Sequence, residues 1–271
     1  MSRALFLGSL LWLCSMQIAL ADARLTVLVD VLKLDEATQI LSLEGQDYAQ
    51  KLNDEMLNGQ GGPGWQQQVA AIYDPNRMAE RVRTELASAL QGEMREVVID
   101  FYSTDLGGRI VELENSARRA IGNPDVEAAA RDRYAALAGT DDPRLARVTA
   151  YIEAGDMITR NVTSAMNANL LFMRGLAEGD AVTMSEEDML ADVQGDMEET
   201  TADTTAWLFA YLLLAYHPLS DDDLDTYIAF ARTEAGRALN RALFDGFGQA
   251  YEDISYSLGL AVALNMRAEE L

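Results

Sequence analysis

The chain has 271 residues, and its hydrophobic fraction of 49% is enough to form the core of one large domain or of two ordinary ones. It carries 21 basic and 44 acidic side chains, which give a formal net charge of -23. Such a charge repels phosphate backbones and anionic headgroups, so we expect no nucleic-acid partner. Solubility or adaptation to a salty medium explains the charge most simply, and attraction of basic partners or divalent cations is the alternative.

The first residues predict a cleavable signal peptide over 1–21. Arg3 precedes the apolar run "ALFLGSLLWLC", and Ala19 and Ala21 form an A-x-A cleavage site. The run is too short to span a bilayer, so we expect a periplasmic or secreted protein without a membrane span after cleavage. The only cysteine, Cys14, lies in this segment. The mature chain would therefore lack disulfides, thiolate nucleophiles and cysteine metal ligands.

Helix signals recur along the mature chain, whereas strand signals do not. The predicted N-caps are Asp74, Asn123, Asp142, Ser185 and Ser220, the first three of them followed by proline. Glycines that follow periodic stretches predict left-handed C-caps at Gly122, Gly139 and Gly179. Apolar residues from 224 to 262 recur at threes and fours, and "WLFAYLLLAY" at 207–216 is typical of a core helix. Only "RLTVLVDVL" near residue 24 is ambiguous, so the sequence predicts an all-α fold.

The stretch "NGQGGPGW" matches a Gly-x-Gly-x-x-Gly pattern at Gly59, Gly61 and Gly64. In a dinucleotide-binding fold this pattern follows a strand and opens a helix. Here a helix-like segment precedes it. We therefore interpret the stretch as a turn between helices, and we expect no cofactor.

Two stretches of the chain resemble each other. "FYSTDLGGRI" begins at Phe101 and "FARTEAGRAL" begins at Phe230, 129 positions later. At the same spacing Thr104 matches Thr233, and Gly107 matches Gly236. The spacing is near half of the mature chain, so we predict an internal duplication with a first helical half over 22–139 and a second over 140–271, packed together.

Each copy predicts a corner between two helices. In this interpretation the threonine is the N-cap, an acid follows it, and the glycine leaves a notch across which the phenylalanine packs. The alternative is a pair of small binding notches built on helix N-terminal amides. The predicted signature is thus a structural one, made up of Phe101, Thr104, Gly107, Phe230, Thr233 and Gly236.

These two stretches resemble the Phe-Tyr-x-Ser-Pro-x-Gly signature of the bacterial family called domain of unknown function 2059. "NVTSAMNANLLFMRGL", "AWLFAYLLLAYHPLSDDDL" and "LNRALFDGFGQAYEDISYSLG" are similar to its alphaproteobacterial members. The resemblance implies an exported, all-helical envelope protein, and it implies no catalytic residue. The chain departs from the signature because Asp105 and Glu234 stand where proline is expected.

The residues that carry chemistry are sparse. The one histidine, His217, lies beside Pro218 in a predicted turn, with a pH switch or a lone metal ligand as the alternative. One histidine and no cysteine do not make a zinc site. The acidic runs "SDDDLD" and "GDMEETTAD" do not fit a calcium loop, so we interpret them as solvated helix starts and predict no metal site.

The sequence leaves three functions open. A non-catalytic envelope interaction or structural module comes first, with an unknown protein partner. The alternative is a small-molecule binding protein with an apolar pocket between the halves, near Asn167, Asn169 and Trp207 in helices rich in Met and aromatic residues. An enzyme comes last, because it would have to use carboxylates, Tyr or Ser without a positioned histidine. The partner, the oligomeric state and the process served do not follow from the sequence.

Overall fold

The computed structural model of the chain describes the backbone of residues 22–269 and the side chains of residues 22–267. The predicted signal peptide over 1–21, with Cys14, lies outside the described residues. The helices are α1 (22–31), α2 (Leu34–Met56), α3 (Gly62–Ile72), α4 (Pro75–Ala89), α5 (Glu93–Tyr102), α6 (Asp105–Ile121), α7 (Pro124–Leu137), α8 (Pro143–Gly155), α9 (Met157–Glu178), α10 (Glu186–Gly195), α11 (Met197–Ala215), α12 (Asp221–Ala231) and α13 (Glu234–Glu269). No strand occurs in this part of the chain, which confirms the all-α prediction. The ambiguous stretch near residue 24 is helical.

Helix α13 is the central element of the fold. It packs along α9 and α4, and it also contacts α3 and α5. Helix α11 fills the space beside α6, α7 and α9, while α2 lies against α4 and α6. Helices from both predicted halves therefore share one packed body.

Two clusters of buried side chains make up most of the core. The larger joins α5, α6, α8, α11, α12 and α13, and its fully buried members include Ile110, Leu213 and Leu224. The smaller lies between α3, α4 and α13, around Trp65 and Leu258. The predicted core helix "WLFAYLLLAY" is confirmed, because it contributes much of the apolar face of α11 to the larger cluster.

Glycines allow α13 to approach its neighbours very closely. A Cβ placed on Gly246 would lie only 2.6 Å from the Cα of Val82 in α4. On the α9 side, a Cβ on Gly175 would lie 2.7 Å from the backbone nitrogen of Leu260, and one on Gly259 would meet the backbone of Phe172. Ordinary carbon contacts are about 3.5–4.0 Å, so any side chain at these positions would force the helices apart.

The predicted helix starts are confirmed. Asp74, Asn123 and Asp142 each accept a hydrogen bond from a backbone amide of the first turn. Ser220 caps α12, and Ser185 forms a complete capping box with Asp188. These side chains satisfy amide groups that a helix start would otherwise leave without a partner.

The predicted helix ends are confirmed only in part. Gly139 is left-handed, with φ 76°. Gly122 and Gly179 have φ values of -63° and -80°, so the predicted left-handed C-caps at these two positions are wrong. After α9 the left-handed position falls instead on Asp180, with φ 62°, because the helical turn continues through Gly179.

None of the described helices combines the length and the apolar character that crossing a bilayer requires.

Candidate ligand-binding site

The two predicted helix corners have the same local structure. Thr104 Oγ1 accepts a hydrogen bond from the Gly107 amide at 3.0 Å and donates to the Phe101 carbonyl at 2.7 Å. Thr233 Oγ1 makes the same two bonds, to the Gly236 amide at 3.0 Å and the Phe230 carbonyl at 2.7 Å. Each threonine therefore ties the start of one helix to the end of the preceding one.

The notch at each corner is occupied by backbone. A Cβ on Gly107 would lie against the Phe101 carbonyl and 2.6 Å from the Cα of Tyr102, so the backbone of the preceding helix fills the space. Phe101 and Phe230 stack on each other, with centroids 3.9 Å apart and ring planes 8° apart. The two corners thus touch through this stack.

A central cavity lies where α2, α6, α8, α9, α11 and α13 meet. Its larger part has a volume of about 420 Å³, and an adjoining smaller part has about 190 Å³. Most of the wall is apolar or aromatic, with Phe247 common to both parts and Trp207 in the larger. The polar residues common to both parts include Glu114, Asn115 and Asn240. Small-molecule sites have this composition, a mainly apolar wall with a few placed polar groups.

Glu114 is the centre of a hydrogen-bond network in the cavity wall. Its Oε1 accepts hydrogen bonds from Tyr216 Oη at 2.6 Å and from Tyr227 Oη at 3.1 Å. The hydroxyl oxygens of Tyr151 and Tyr227 are 2.7 Å apart, and those of Tyr102 and Tyr227 are 3.4 Å apart. Four tyrosine hydroxyls therefore belong to one network around this carboxylate. Three of the tyrosines lie in α5, α8 and α12, and the fourth follows the end of α11.

Burial sets the protonation of this network. Removal from water raises the pKa of the Glu114 carboxyl, although the hydrogen bonds from Tyr216 and Tyr227 oppose the shift. Burial also raises the pKa of Tyr151, Tyr216 and Tyr227 well above the ordinary value, and the nearby Glu114 charge adds to the effect. The phenols therefore keep their protons at any physiological pH.

Asn115 adds an unsatisfied polar group to the same wall. The residue is 8% exposed, and nothing among the described residues accepts a hydrogen bond from its Nδ2. A buried donor without a partner costs roughly 1–3 kcal/mol of stability. The residue follows Glu114 in the sequence and lines both cavity parts, although its Nδ2 is itself out of contact with solvent.

Arg118 closes one side of the larger part. Its guanidinium donates to Glu44 through Nε at 2.8 Å and through a terminal nitrogen at 2.6 Å, and it lies 4.8 Å above the Trp207 ring. Burial alone would lower the pKa of Arg118, but the hydrogen bonds to Glu44 outweigh it and raise the pKa. Arg118 is thus a neutralised cation that links α6 to α2.

The polar residues predicted for the pocket lie partly elsewhere. Trp207 lines the larger part as expected. Asn167 is exposed and donates to Glu252 at 3.0 Å, and Asn169 is also exposed, so their predicted place in the pocket is wrong. They lie on the solvent side of α9, whereas Asn161, two turns earlier, faces the larger part. The amides at the cavity are therefore Asn115, Asn161 and Asn240.

Other sequence features lie away from the cavity. His217 is exposed in the turn after α11, as predicted. The aspartates of "SDDDLD" form ion pairs with arginines: Asp221 with Arg144 and Arg147, Asp223 with Arg109, and Asp225 with Arg147. Among the described residues, no group of three or more acidic, histidine or cysteine side chains is placed to hold a metal ion.

Sequence reasoning missed Glu114, but a signal for it is present. Gly107, Ile110, Val111, Ala117 and Ile121 mark the buried face of α6. Glu114 lies three or four residues from Ile110, Val111 and Ala117, so it falls on this apolar face. This place on the apolar face of α6 is the feature that distinguishes Glu114 from the other acidic residues of the chain.

In comparisons with protein-family models, curated proteins and solved structures, the chain matched none of them. The resemblance to the domain of unknown function 2059 family therefore stays a prediction.

Proposed function

We propose that the protein binds a small, mainly apolar molecule in the cavity between its helical halves, without catalysing a reaction. The observation that carries the proposal is the cavity of about 420 Å³ with Glu114 and the unsatisfied Asn115 in its wall. Its size lies in the range of ligand pockets, and its few polar groups sit beside one another. The interaction or structural role that the sequence put first stays a prediction.

The arrangement of acids argues against hydrolytic chemistry at this site. Catalysis by paired carboxylates needs a second acid that is free to act as base or nucleophile. The other carboxylate near the cavity, Glu44, is held by Arg118 in a short ion pair. Since His217 lies on the surface, the cavity residues support binding better than proton transfer.

We also propose that the protein is exported and belongs to the domain of unknown function 2059 family. The basis is the signal-peptide pattern over 1–21 and the family resemblance in sequence. N-terminal sequencing of the mature protein tests the first point, because cleavage after Ala21 would leave Asp22 as the first residue. A mature protein that still begins at Met1 would contradict it.

The internal duplication also remains a proposal, and the order of helix lengths supports it. Helices α2 to α5 have 23, 11, 15 and 10 residues, and α9 to α12 have 22, 10, 19 and 11. The continuous α13 then corresponds to α6 and α7 together. Sequence profiles built from relatives of each half should detect the other half, and failure in both directions would contradict a common origin.

A neutral fluorescent probe tests binding in the cavity. N-phenyl-1-naphthylamine is apolar and uncharged at neutral pH, and its emission rises when it leaves water. Ala37 lines both parts of the cavity, so Ala37→Leu adds an isopropyl group to the cavity and should abolish the signal. Gln39→Leu is the matched control, because it introduces the same side chain on the exposed side of α2.

The outcomes of this experiment are distinct. Saturable binding by the wild type and Gln39→Leu, with none by Ala37→Leu, supports the proposal. Equal binding by all three proteins places the probe outside the cavity, and no binding by any of them would contradict the proposed function. Native mass spectrometry of the protein purified from its own periplasm gives a second test, since a co-purified small molecule is the expected result.

A further inference from the structure

We propose that the molecule bound in the cavity is an organic ammonium ion with an apolar body, and that Glu114 is its counter-ion. This inference rests on the proposed function and names the class of ligand. It follows from the direction of the hydrogen bonds at Glu114, from the absence of a cation beside it among the described residues, and from the aromatic rings around it.

The hydrogen bonds around Glu114 all run toward the carboxylate. A phenol can donate one hydrogen bond, and Tyr227 donates it to Glu114 Oε1. Tyr151 must therefore donate to Tyr227 rather than accept from it, over their distance of 2.7 Å. Tyr216 also donates to Oε1. The network presents a chain of donors that suits an ionised carboxylate with its charge held in place.

The charge on that carboxylate has no cationic partner within the described part of the protein. No lysine or arginine there forms an ion pair with Glu114, and Arg118 one turn away is taken by Glu44. Both tyrosine hydroxyls donate to Oε1, and none of the described side chains donates to Oε2. An uncompensated charge is costly in a low-dielectric site, so without a cation the raised pKa of Glu114 favours the protonated carboxyl, whereas a bound cation would favour the ionised form. An ammonium group bonded to Oε2 would complete the pair.

The surroundings favour an organic cation over the other ligand classes. Tyr102, Tyr151, Tyr227 and Phe230 line the smaller part of the cavity. Aromatic rings attract cations, so this lining suits a cationic ligand. A metal ion needs more oxygen ligands than one carboxylate gives. An anion would meet the Glu114 charge and the field of a chain with a net charge of -23, which draws cations instead.

A series of probes that differ only in charge tests the inference. 2-Phenylethylamine, 2-phenylethanol and phenylacetate have similar sizes and carry a positive, a neutral and a negative group at neutral pH. Their dissociation constants would be measured by calorimetry with the full mature chain. We expect the amine to bind at least about tenfold more tightly than the alcohol, as one charge-assisted hydrogen bond provides, and the acid to bind least.

Two variants assign the preference to Glu114. Glu114→Gln should lose the tenfold preference for the amine while it retains affinity for the alcohol. Glu153→Gln is the matched control, because it removes the same charge from the exposed side of α8, away from the cavity wall, and should keep the preference. Retained alcohol binding also shows that Glu114→Gln is folded with its cavity intact.

The remaining results separate the two proposals. If the alcohol and the amine bind the wild type equally, the ammonium inference is wrong while the binding function stands. Tighter binding of phenylacetate would likewise overturn the inference. If none of the three probes binds and N-phenyl-1-naphthylamine does not bind either, the proposed function itself fails.

Discussion

Substitution of Gly107 by alanine tests the helix corner at the start of α6. A methyl group there would lie against the Phe101 carbonyl and 2.6 Å from the Cα of Tyr102. Carbon atoms pack at about 3.5–4.0 Å, so the two helices would have to separate by about 1 Å. The change would also strain the Thr104 cap, whose Oγ1 accepts from the Gly107 amide at 3.0 Å.

The magnitude follows from three effects. Overpacking against backbone costs roughly 1–3 kcal/mol, and loss of an N-cap costs about 1 kcal/mol. Replacing glycine by alanine inside a helix returns about 1 kcal/mol. We therefore expect Gly107→Ala to lower the free energy of unfolding by about 1–3 kcal/mol, or the melting temperature by roughly 2–12 °C in a chain of this size.

The neighbouring glycine provides the control. A Cβ on Gly108 would lie 4.0 Å from the Tyr102 carbonyl oxygen, which is an ordinary contact. Gly108→Ala should therefore stabilise the protein by up to about 1 kcal/mol. Urea unfolding followed by far-ultraviolet circular dichroism measures both variants. If Gly107→Ala is as stable as Gly108→Ala, the account of the corner is refuted.

Three further changes have defined outcomes. Thr233→Ala should cost about 1 kcal/mol in urea unfolding because it removes the second corner's cap, whereas Thr233→Ser should cost little; equal losses would contradict the capping role. Asn115→Leu should raise the free energy of unfolding by about 1 kcal/mol or more, because it removes a buried donor without a partner; a decrease would indicate that a water or ligand satisfies the amide. Burial raises the folded-state pKa of Glu114, so its contribution to stability is complete below the unfolded pKa and is lost as the pH rises through the folded value. The stability of Glu114→Gln relative to the wild type should therefore increase from pH 4 to pH 8, and a flat difference would contradict the pKa direction.

The fold class was predictable because its signals are local. A cap such as Ser185 or Asp142 acts on amides two or three residues away, and an apolar stripe repeats within one helix. The helix ends at Gly122 and Gly179 were predicted wrongly. There the path of the chain toward the next helix decides the backbone conformation, and glycine accepts a right-handed conformation as readily as a left-handed one.

The candidate site depends on contacts that the sequence does not reveal. The hydroxyl groups that reach Glu114 come from residues 102 and 113 positions later in the chain, brought there by packing of α11 against α6 and of α12 against α8 and α13. With 44 acids in the chain, no single carboxylate is conspicuous by type. Its place on the apolar face of α6 was readable, but the phenol cluster and the cavity volume were not.

The glycine contacts along α13 hold α9 and α13 at a fixed distance, whereas α2 is joined to α6 in part by ion pairs. Helices α9 and α13 touch through backbone at Gly175 and Gly259. Helix α2 contributes Ala37 to the cavity wall, and the pairs Lys33–Glu112 and Glu36–Arg119 connect it to α6 at the surface. Salt weakens exposed pairs, so if the proposed ligand enters past α2, its exchange should quicken as ionic strength rises.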